Sequence, residues 1–180
     1  MAAQIPLQPW PEASKDLSIE KVYQKAHQRA KELLPRFKSL LEPHVPADSR
    51  LLTNIKSQPS FVRKAKRKPV QKIHDVLRAA ILTQTKDETK KVAEGLKRSL
   101  KVVEFDHKNQ PEHLASGYYG AYHIKFMMAD MVCEIQVMPE TLWVYKERNH
   151  SAYSNDEAEH DPSVKSFSHW LYDTANKESS

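Results

Sequence analysis

The chain has 180 residues, of which 39% are hydrophobic and 28% charged, and its mean hydropathy is -0.70. This length and polarity predict one soluble globular domain with a core of its own. No apolar run approaches the roughly 20 residues that a membrane-spanning helix needs, and the N-terminus lacks the basic start and apolar stretch of a secretory signal. The single cysteine, Cys133, excludes a disulfide scaffold and a cysteine-based zinc site, so we expect a reduced, cytoplasmic setting.

Positive charge is concentrated in one part of the chain. The formal net charge is +5, yet the segment from Arg50 to Lys72 contains no acidic residue. Its basic residues are Arg50, Lys56, Arg63, Lys64, Lys66, Arg67, Lys68 and Lys72. Such a block creates a positive potential that attracts phosphate groups. Charge alone leaves three interpretations open: a nucleotide site, an RNA-binding surface, and a solvated helix face without a ligand.

The first part of the chain is predicted to be mostly helical. A proline-rich arm covers residues 1–15, and apolar residues at three- and four-residue steps predict a helix from Leu17 onward. Pro35 is expected to end or kink this helix, because proline lacks the N–H group that the helix needs. The apolar run Leu51–Ile55 suits a strand, and Ser60–Lys68 predicts a short basic helix.

Strands and helices alternate in the second part. Thr85 and Glu88 form a capping box, which predicts that a helix begins there. The other predicted elements are strands at Asp75–Leu82 and Lys101–Asp106, a loop at 107–116, a hairpin at 118–138, a helix starting at Pro139 and a helix at 164–175. This order predicts an α+β fold with a mixed, mostly antiparallel sheet flanked by helices. We expect an arm and helical lead-in at 1–48, a core domain at 49–155, and a C-terminal loop and helix at 156–180.

The predicted hairpin has an apolar face and a mixed polar face, because side chains alternate along a strand. The apolar face collects Tyr122, Ile124, Phe126, Met128, Met131, Cys133, Ile135 and Val137. A tight turn at Ala129-Asp130 would place Lys125 opposite Glu134 and His123 opposite Gln136 on the polar face. This polar patch is either a functional surface or a half-exposed hairpin with a surface Lys–Glu pair.

Two groups of residues upstream of the hairpin suit phosphate chemistry. Lys56, Ser60 and Lys64 lie near the predicted start of the basic helix, where N–H groups, hydroxyls and ammonium groups can hold a phosphate. Asp75 supplies a carboxylate for Mg²⁺, which prefers oxygen ligands and keeps substrate phosphates in its shell.

Two further groups come from the hairpin and the residues just before it. Glu134, supported by Gln136, could share a metal or take the proton of a nucleophile. Tyr119, or its neighbour Tyr118, could stack a base, and His123 could contact a phosphate or a hydroxyl.

The order of these groups resembles that in the synthetase domain of the RelA/SpoT alarmone synthetases. The matching residues are Lys56-Ser57-x-x-Ser60-x-x-x-Lys64, Asp75 before a strand, Gly117-Tyr118 followed by His123, and Glu134-Ile135-Gln136. The resemblance extends from about Lys56 to Tyr153, and Trp143, Glu147, His150 and Tyr153 look like the family's closing helix. It implies a small stand-alone pyrophosphokinase that transfers pyrophosphate from ATP to a ribose 3′-hydroxyl with Mg²⁺ as cofactor.

The resemblance also implies roles for individual residues. Lys56, Ser60 and Lys64 would hold the triphosphate of ATP, and Asp75 would bind Mg²⁺. Glu134 would position the metal or activate the acceptor hydroxyl, with support from Gln136. Tyr119, or alternatively Tyr118, would stack the acceptor base, and His123 would contact the acceptor phosphates. Lys125, in the polar patch, would be a further nucleotide-binding residue. Because Asp75 and Glu134 are expected to line a polar cleft, Asp75→Asn and Glu134→Gln are expected to leave the fold intact.

Two positions of the expected adenine site depart from the family's pattern. Asn54 and Ala80 stand where the family carries the arginines that sandwich adenine, and Arg78 is the neighbouring candidate to replace them. The acceptor is left open between GDP or GTP, an adenine nucleotide, and the 3′ end of tRNA, which toxins of the family modify. A catalytically inactive nucleotide- or RNA-binding relative is a further alternative. The expected partners are nucleotides, with tRNA, a second copy of the chain or a neutralising protein as alternatives, and no membrane.

Overall fold

The structure, a computed structural model, describes residues 18–109 and 120–153, except for the side chains of Gln71 and of residues 148–153. These parts of the chain contain four α-helices and five β-strands, which confirms the predicted α+β class. The helices are α1 (Ile19–Leu41), α2 (Gln58–Ala65), α3 (Lys86–Ser99) and α4 (Glu140–Tyr153). The strands are β1 (Arg50–Ile55), β2 (Leu77–Thr83), β3 (Val102–His107), β4 (Tyr122–Met128) and β5 (Met131–Pro139). Within the described residues, no helix combines the length and the apolar character needed to cross a membrane.

The five strands form one mixed sheet in the order β1-β2-β5-β4-β3. β2 pairs in parallel with β5, and the three other pairs are antiparallel. The parallel pair β2 and β5 thus joins the two antiparallel parts of the sheet. This arrangement confirms a mixed, mostly antiparallel sheet.

The main hydrophobic core lies between one face of this sheet and the helices α1 and α3. Phe37 of α1 is fully buried and its ring stacks against Phe126 of β4, with 6.0 Å between the ring centroids. Leu96 of α3 is fully buried in the same cluster. A second, smaller cluster covers part of the opposite face, where Leu142 of α4 packs near Ala80 of β2. The sheet therefore has one face filled by core and one face that is only partly covered.

The hairpin between β4 and β5 has the predicted register. Lys125 pairs with Glu134 and His123 pairs with Gln136, and the turn lies at Ala129 and Asp130. Ala129 adopts a φ of 52°, in the left-handed region that most side chains avoid. All eight residues predicted for the apolar face belong to the main core. Cys133 is among them, and burial raises the pKa of its thiol to about 12.

Of the two outcomes expected at Pro35, the one in which the proline ends the first helix is wrong. α1 continues through Pro35 to Leu41, because Phe37 and Leu41 beyond the proline are both fully buried. Burial of two such side chains contributes several kcal/mol, on the order of the roughly 3 kcal/mol that a proline costs inside a helix.

Other predicted boundaries differ from the structure by a few residues. Asp75 precedes β2 instead of starting it, because the strand pairs only from Leu77 onward. Pro139 ends β5, and α4 begins one residue later. Thr85 caps the start of α3, since its hydroxyl accepts a hydrogen bond from the Glu88 N–H at 3.2 Å, and the Glu88 carboxylate accepts one from the Gln84 N–H at 2.9 Å. The predicted helix at 164–175 lies outside the described residues.

Candidate active site

A row of polar side chains crosses the sheet on the face opposite to the main core. Cross-strand pairing aligns five residues, one from each strand: Asn54, Arg78, Glu134, Lys125 and Glu104. The parallel pairing of β2 with β5 sets Arg78 directly beside Glu134. This pairing joins residues that are 56 positions apart in the chain.

A second row lies one step further along the same face. It contains Leu52, Ala80, Gln136, His123 and Asp106. Ala80 pairs with Gln136, and Gln136 pairs with His123. All four hairpin residues of the predicted polar patch, and both positions where adenine-binding arginines were expected, therefore lie on one face.

The predicted phosphate-binding lysines form a buried ion cluster with Asp75. Lys56 Nζ lies 2.7 Å and Lys64 Nζ 2.8 Å from the same carboxylate oxygen, Asp75 Oδ2. Lys56 and Asp75 are only 7% and 6% exposed, whereas the Lys64 side chain is 31% exposed. Ser60 lies one helical turn before Lys64 on α2 and is partly buried. The structure thus brings together the two lysines of the predicted phosphate cradle and places Ser60 on the helix that carries Lys64.

The backbone of this cluster is held by its neighbours. The Lys56 N–H donates to the Val76 carbonyl at 2.8 Å, which continues the pairing of β1 with β2. The hydroxyl of Tyr23, on α1, donates to the Lys56 carbonyl at 3.1 Å. α1 therefore supports the site as well as the core.

Electrostatics favour an ionised Asp75. Burial by itself raises the pKa of this carboxyl, but the two neighbouring ammonium groups outweigh it and lower the pKa to about 2. Burial lowers the pKa of Lys56, while Asp75 opposes that change. Asp75 is nevertheless more buried than the open cleft expected from the sequence, so its burial now predicts that Asp75→Asn destabilises the fold. Removing its charge would strand Lys56 in a buried position.

A chain of hydrogen bonds links Glu134 to α4. Gln136 Nε2 donates to Glu134 Oε1 at 2.9 Å, and Lys146 Nζ donates to Gln136 Oε1 at 3.2 Å. Lys146 is 8% exposed, and its Nζ lies 4.1 Å from the centroid of the Trp143 ring. Burial lowers the pKa of Lys146 to about 8, although Glu147 acts in the opposite direction.

Lys146 was not predicted from the sequence. A usable signal was its spacing, because it follows the buried Leu142 by four residues and so lies on the same side of α4. A lysine at that position has to end near the sheet instead of in solvent.

His123 and Lys125 both lie on the site face, and the ammonium group of Lys125 binds a different carboxylate from the one opposite it in the hairpin. Lys125 Nζ binds the carboxylate of Glu104 on β3 at 2.7 and 2.8 Å, and not that of Glu134. His123 is partly buried, and burial together with the positive charges of Lys108 and Lys146 lowers its pKa to about 3. At neutral pH His123 is therefore an uncharged imidazole, which could meet a phosphate as a hydrogen-bond donor but not as a cation.

A cavity of about 320 Å³ opens on this face between the sheet and α4. Its lining includes Asn54, Arg78, Gln136, Trp143 and Lys146. Both expected adenine-binding positions are at the cavity, since Ala80 also lines it. Arg78 is on the same wall, in the place where it could compensate for the missing arginines. Tyr118 and Tyr119, the predicted base-stacking residues, lie outside the described residues.

The residues near Asp75 suit a magnesium ion in part. Asp75 Oδ1 is buried and accepts no hydrogen bond from the described residues, while Oδ2 takes both lysines. A carboxylate oxygen of this kind is a typical ligand for Mg²⁺, which needs only one or two carboxylates when substrate phosphates complete its shell. No group of three or more metal-binding side chains occurs in the described parts of the chain.

Comparison with known proteins identifies the fold. No protein family model and no curated protein matches the chain. Among solved structures, a GTP pyrophosphokinase family protein from Streptococcus pneumoniae superposes with a TM-score of 0.66 at 15% identity, over 88% of this chain and 87% of that chain. The small alarmone synthetase 1 from Bacillus subtilis bound to its product pppGpp gives 0.65 at 22%, over 88% and 90%, and the same enzyme has been solved bound to AMPCPP.

A third structure with this fold is a complex. The type VI effector Tas1 with its immunity protein gives a TM-score of 0.56 at 21% identity, over 88% of this chain and 96% of that chain. The chain therefore has the fold of the small alarmone synthetases, as the sequence resemblance implied.

Proposed function

We propose that this protein is a pyrophosphokinase that transfers the β,γ-pyrophosphate of ATP to the ribose 3′-hydroxyl of a guanine nucleotide. The observation that carries the proposal is the polar row on the open face of the sheet, where Glu134 lies beside Arg78, a residue that lines a cavity of about 320 Å³. The pppGpp and AMPCPP bound to the Bacillus subtilis synthetase support a nucleotide as both donor and acceptor.

In the proposed reaction the acceptor 3′-oxygen attacks the β-phosphorus of ATP. A new oxygen–phosphorus bond forms, the bond between the β-phosphorus and the bridging oxygen to the α-phosphate breaks, and AMP leaves. The hydroxyl proton passes to the carboxylate of Glu134, whose Oε1 is held by Gln136. Positioning and charge neutralisation supply most of the rate enhancement in such a transfer.

The basic cluster serves the donor. Lys64 is the more exposed of the two lysines on Asp75 and is available to the triphosphate, while Lys56 fixes the carboxylate from inside. Ser60, on the same side of α2, adds a hydroxyl for a phosphate oxygen. Arg78 supplies a cation beside the adenine position. It takes the place of the two arginines of the family, which are replaced here by Asn54 and Ala80.

Asp75 Oδ1 and Glu134 are the proposed protein ligands of Mg²⁺. The ion would neutralise charge on the phosphate oxygens during transfer.

Tyr119, or Tyr118, completes the proposed acceptor site by stacking the base. His123, as a neutral imidazole, donates a hydrogen bond to an acceptor phosphate, and Lys125 adds positive charge on the same face. With these roles, the hairpin and the residues just before it form the acceptor side of the site.

A second acceptor, the 3′ end of tRNA, is favoured by the outer surface of α2. Arg63, Lys66 and Arg67 are exposed there around a depression of about 530 Å³. Such a surface suits a phosphate backbone. The corresponding proposal for partners is that this protein is an effector whose activity a neutralising protein controls. The effector–immunity complex that shares this fold supports that proposal.

The experiment is a transfer assay with ATP labelled at the γ-phosphate and with Mg²⁺. GDP, GTP, AMP and deacylated tRNA are offered separately, and the protein and its Glu134→Gln variant are compared. Label on GDP or GTP that depends on Glu134 supports alarmone synthesis, and label on tRNA supports the second acceptor. Binding of ATP without label transfer to any acceptor would refute the enzymatic proposal and leave a nucleotide-binding protein.

A further inference from the structure

Lys146 is a buried ammonium group to which the proposed reaction has so far given no role. It lies on α4 with 8% exposure, against the open face of the sheet. A buried lysine costs several kcal/mol of desolvation free energy unless its N–H groups find partners. Methionine or leucine would fill the same space without that cost. The polar groups that Lys146 contacts should therefore explain why a lysine stands at this position.

Those contacts lead to Glu134 in two steps. Lys146 Nζ donates to Gln136 Oε1 at 3.2 Å, and Gln136 Nε2 donates to Glu134 Oε1 at 2.9 Å. An ammonium group can only donate, so it fixes which end of the Gln136 amide faces α4. The NH₂ end must then face Glu134. The carboxylate oxygen Oε2 is not used by this hydrogen bond and is left to the reaction.

The orientation of Lys146 is itself fixed on two sides. Its Nζ lies 4.1 Å from the centroid of the Trp143 ring, a cation–π distance, and 4.0 Å from a carboxylate oxygen of Glu147. Trp143 packs against the small cluster that joins α4 to β2 and β5. The ammonium group is therefore held by contacts with Trp143, Glu147 and Gln136 at the wall of the cavity.

We infer that Lys146 is a positioning residue for Glu134: through the Gln136 amide it holds the reacting carboxylate in place, and it does not itself bind the nucleotide. The inference deepens the proposed function and rests on it. Misplacement of a catalytic group by about 1 Å, or loss of a partner behind a metal ligand, lowers rates by about 10- to 100-fold. Loss of a positioning residue is expected to act on kcat, because substrate binding does not use it.

The test replaces Lys146 by methionine, which has a similar length and no charge. We expect kcat to fall by about 10- to 100-fold with the KM for ATP changed less than about threefold. The melting temperature should stay the same or rise, because an apolar side chain replaces a buried charge. Lys97→Met is the matched control, since Lys97 also lies over an aromatic ring, that of Phe105, but is far from the site on α3. It should leave kcat unchanged.

A readout without substrate separates this inference from the proposed function. In the nucleotide-free protein, the side-chain NH₂ signals of Gln136, assigned by their loss in Gln136→Leu, should shift and exchange faster with solvent in Lys146→Met. They should not change in Lys97→Met. Unchanged Gln136 signals would overturn the inference, whether or not the protein is active.

Kinetics of combined variants supply the last check. If Lys146 acts through Gln136, Gln136→Leu should lower kcat by as much as the double variant does, because the second change breaks a link already broken. Additive losses, or a rise in KM with unchanged kcat for Lys146→Met, would show direct nucleotide contact and refute the positioning role. A wild-type protein inactive towards every acceptor would refute the proposed function alone.

Discussion

Replacing Asp75 by asparagine is expected to destabilise the protein strongly. Asp75 and Lys56 are 6% and 7% exposed and lie 2.7 Å apart, with Lys64 on the same carboxylate oxygen at 2.8 Å. Removing one partner of a buried ion pair costs about 3–5 kcal/mol. Asparagine keeps one oxygen acceptor, so we expect the lower end, about 3 kcal/mol. Each kcal/mol lowers Tm by about 2–4 °C in a chain of this size, which gives a fall of about 6–12 °C.

Urea unfolding followed by circular dichroism measures this loss. Asp130→Asn is the matched control, because its ion pair with Arg29 is exposed, with the Asp130 side chain 65% accessible, and its midpoint should not move. Adding Lys56→Met to Asp75→Asn should recover part of the stability, since no buried charge is then left without its partner. If Asp75→Asn unfolds at the wild-type midpoint, the carboxylate is not desolvated as the structure places it, and the argument from burial fails.

Three further predictions concern the site face. Glu134→Gln should lower transfer by about 10²- to 10⁴-fold with an unchanged Tm, while Glu94→Gln on α3, at the opposite face, should leave transfer unchanged. Arg78→Met should raise the KM for ATP more than it lowers kcat, and an unchanged KM would remove Arg78 from the adenine position. The pKa of His123 is lowered to about 3 in the folded protein and is about 6.5 in an unfolded chain. The stability that the neutral imidazole contributes is therefore present above pH 6.5 and is lost as the pH falls toward 3. Between pH 8 and pH 5 this loss is about 2 kcal/mol, and His123→Gln should remove it from urea titrations at the two pH values.

The hairpin shows how much local pattern can determine. Alternation along Tyr122–Met128 and Met131–Pro139 predicted both faces, and the short turn then fixed which residues pair. Eight apolar side chains on one face leave only one register that buries them all, so a slip by one residue would have exposed the core. The opposition of Lys125 and Glu134 followed from the same argument.

Side-chain partners on that hairpin could not be predicted in the same way. Lys125 binds Glu104 because β3 lies on the other side of β4, and the sequence does not state which strand becomes the neighbour. The parallel pairing that puts Arg78 beside Glu134 has the same origin. It joins residues 56 positions apart in the chain, so no local pattern records it.

The amino-acid sequence by itself determined the fold class, the two faces of the hairpin and the concentration of basic residues around Lys56 and Lys64. These follow from periodicity and from charge, which are properties of short stretches. Only the tertiary structure decided that Asp75 is buried, that Lys146 reaches Gln136, and that a cavity opens beside Arg78. Burial and long-range pairing depend on which distant segments pack together, and that choice minimises the free energy of the whole chain instead of any one segment.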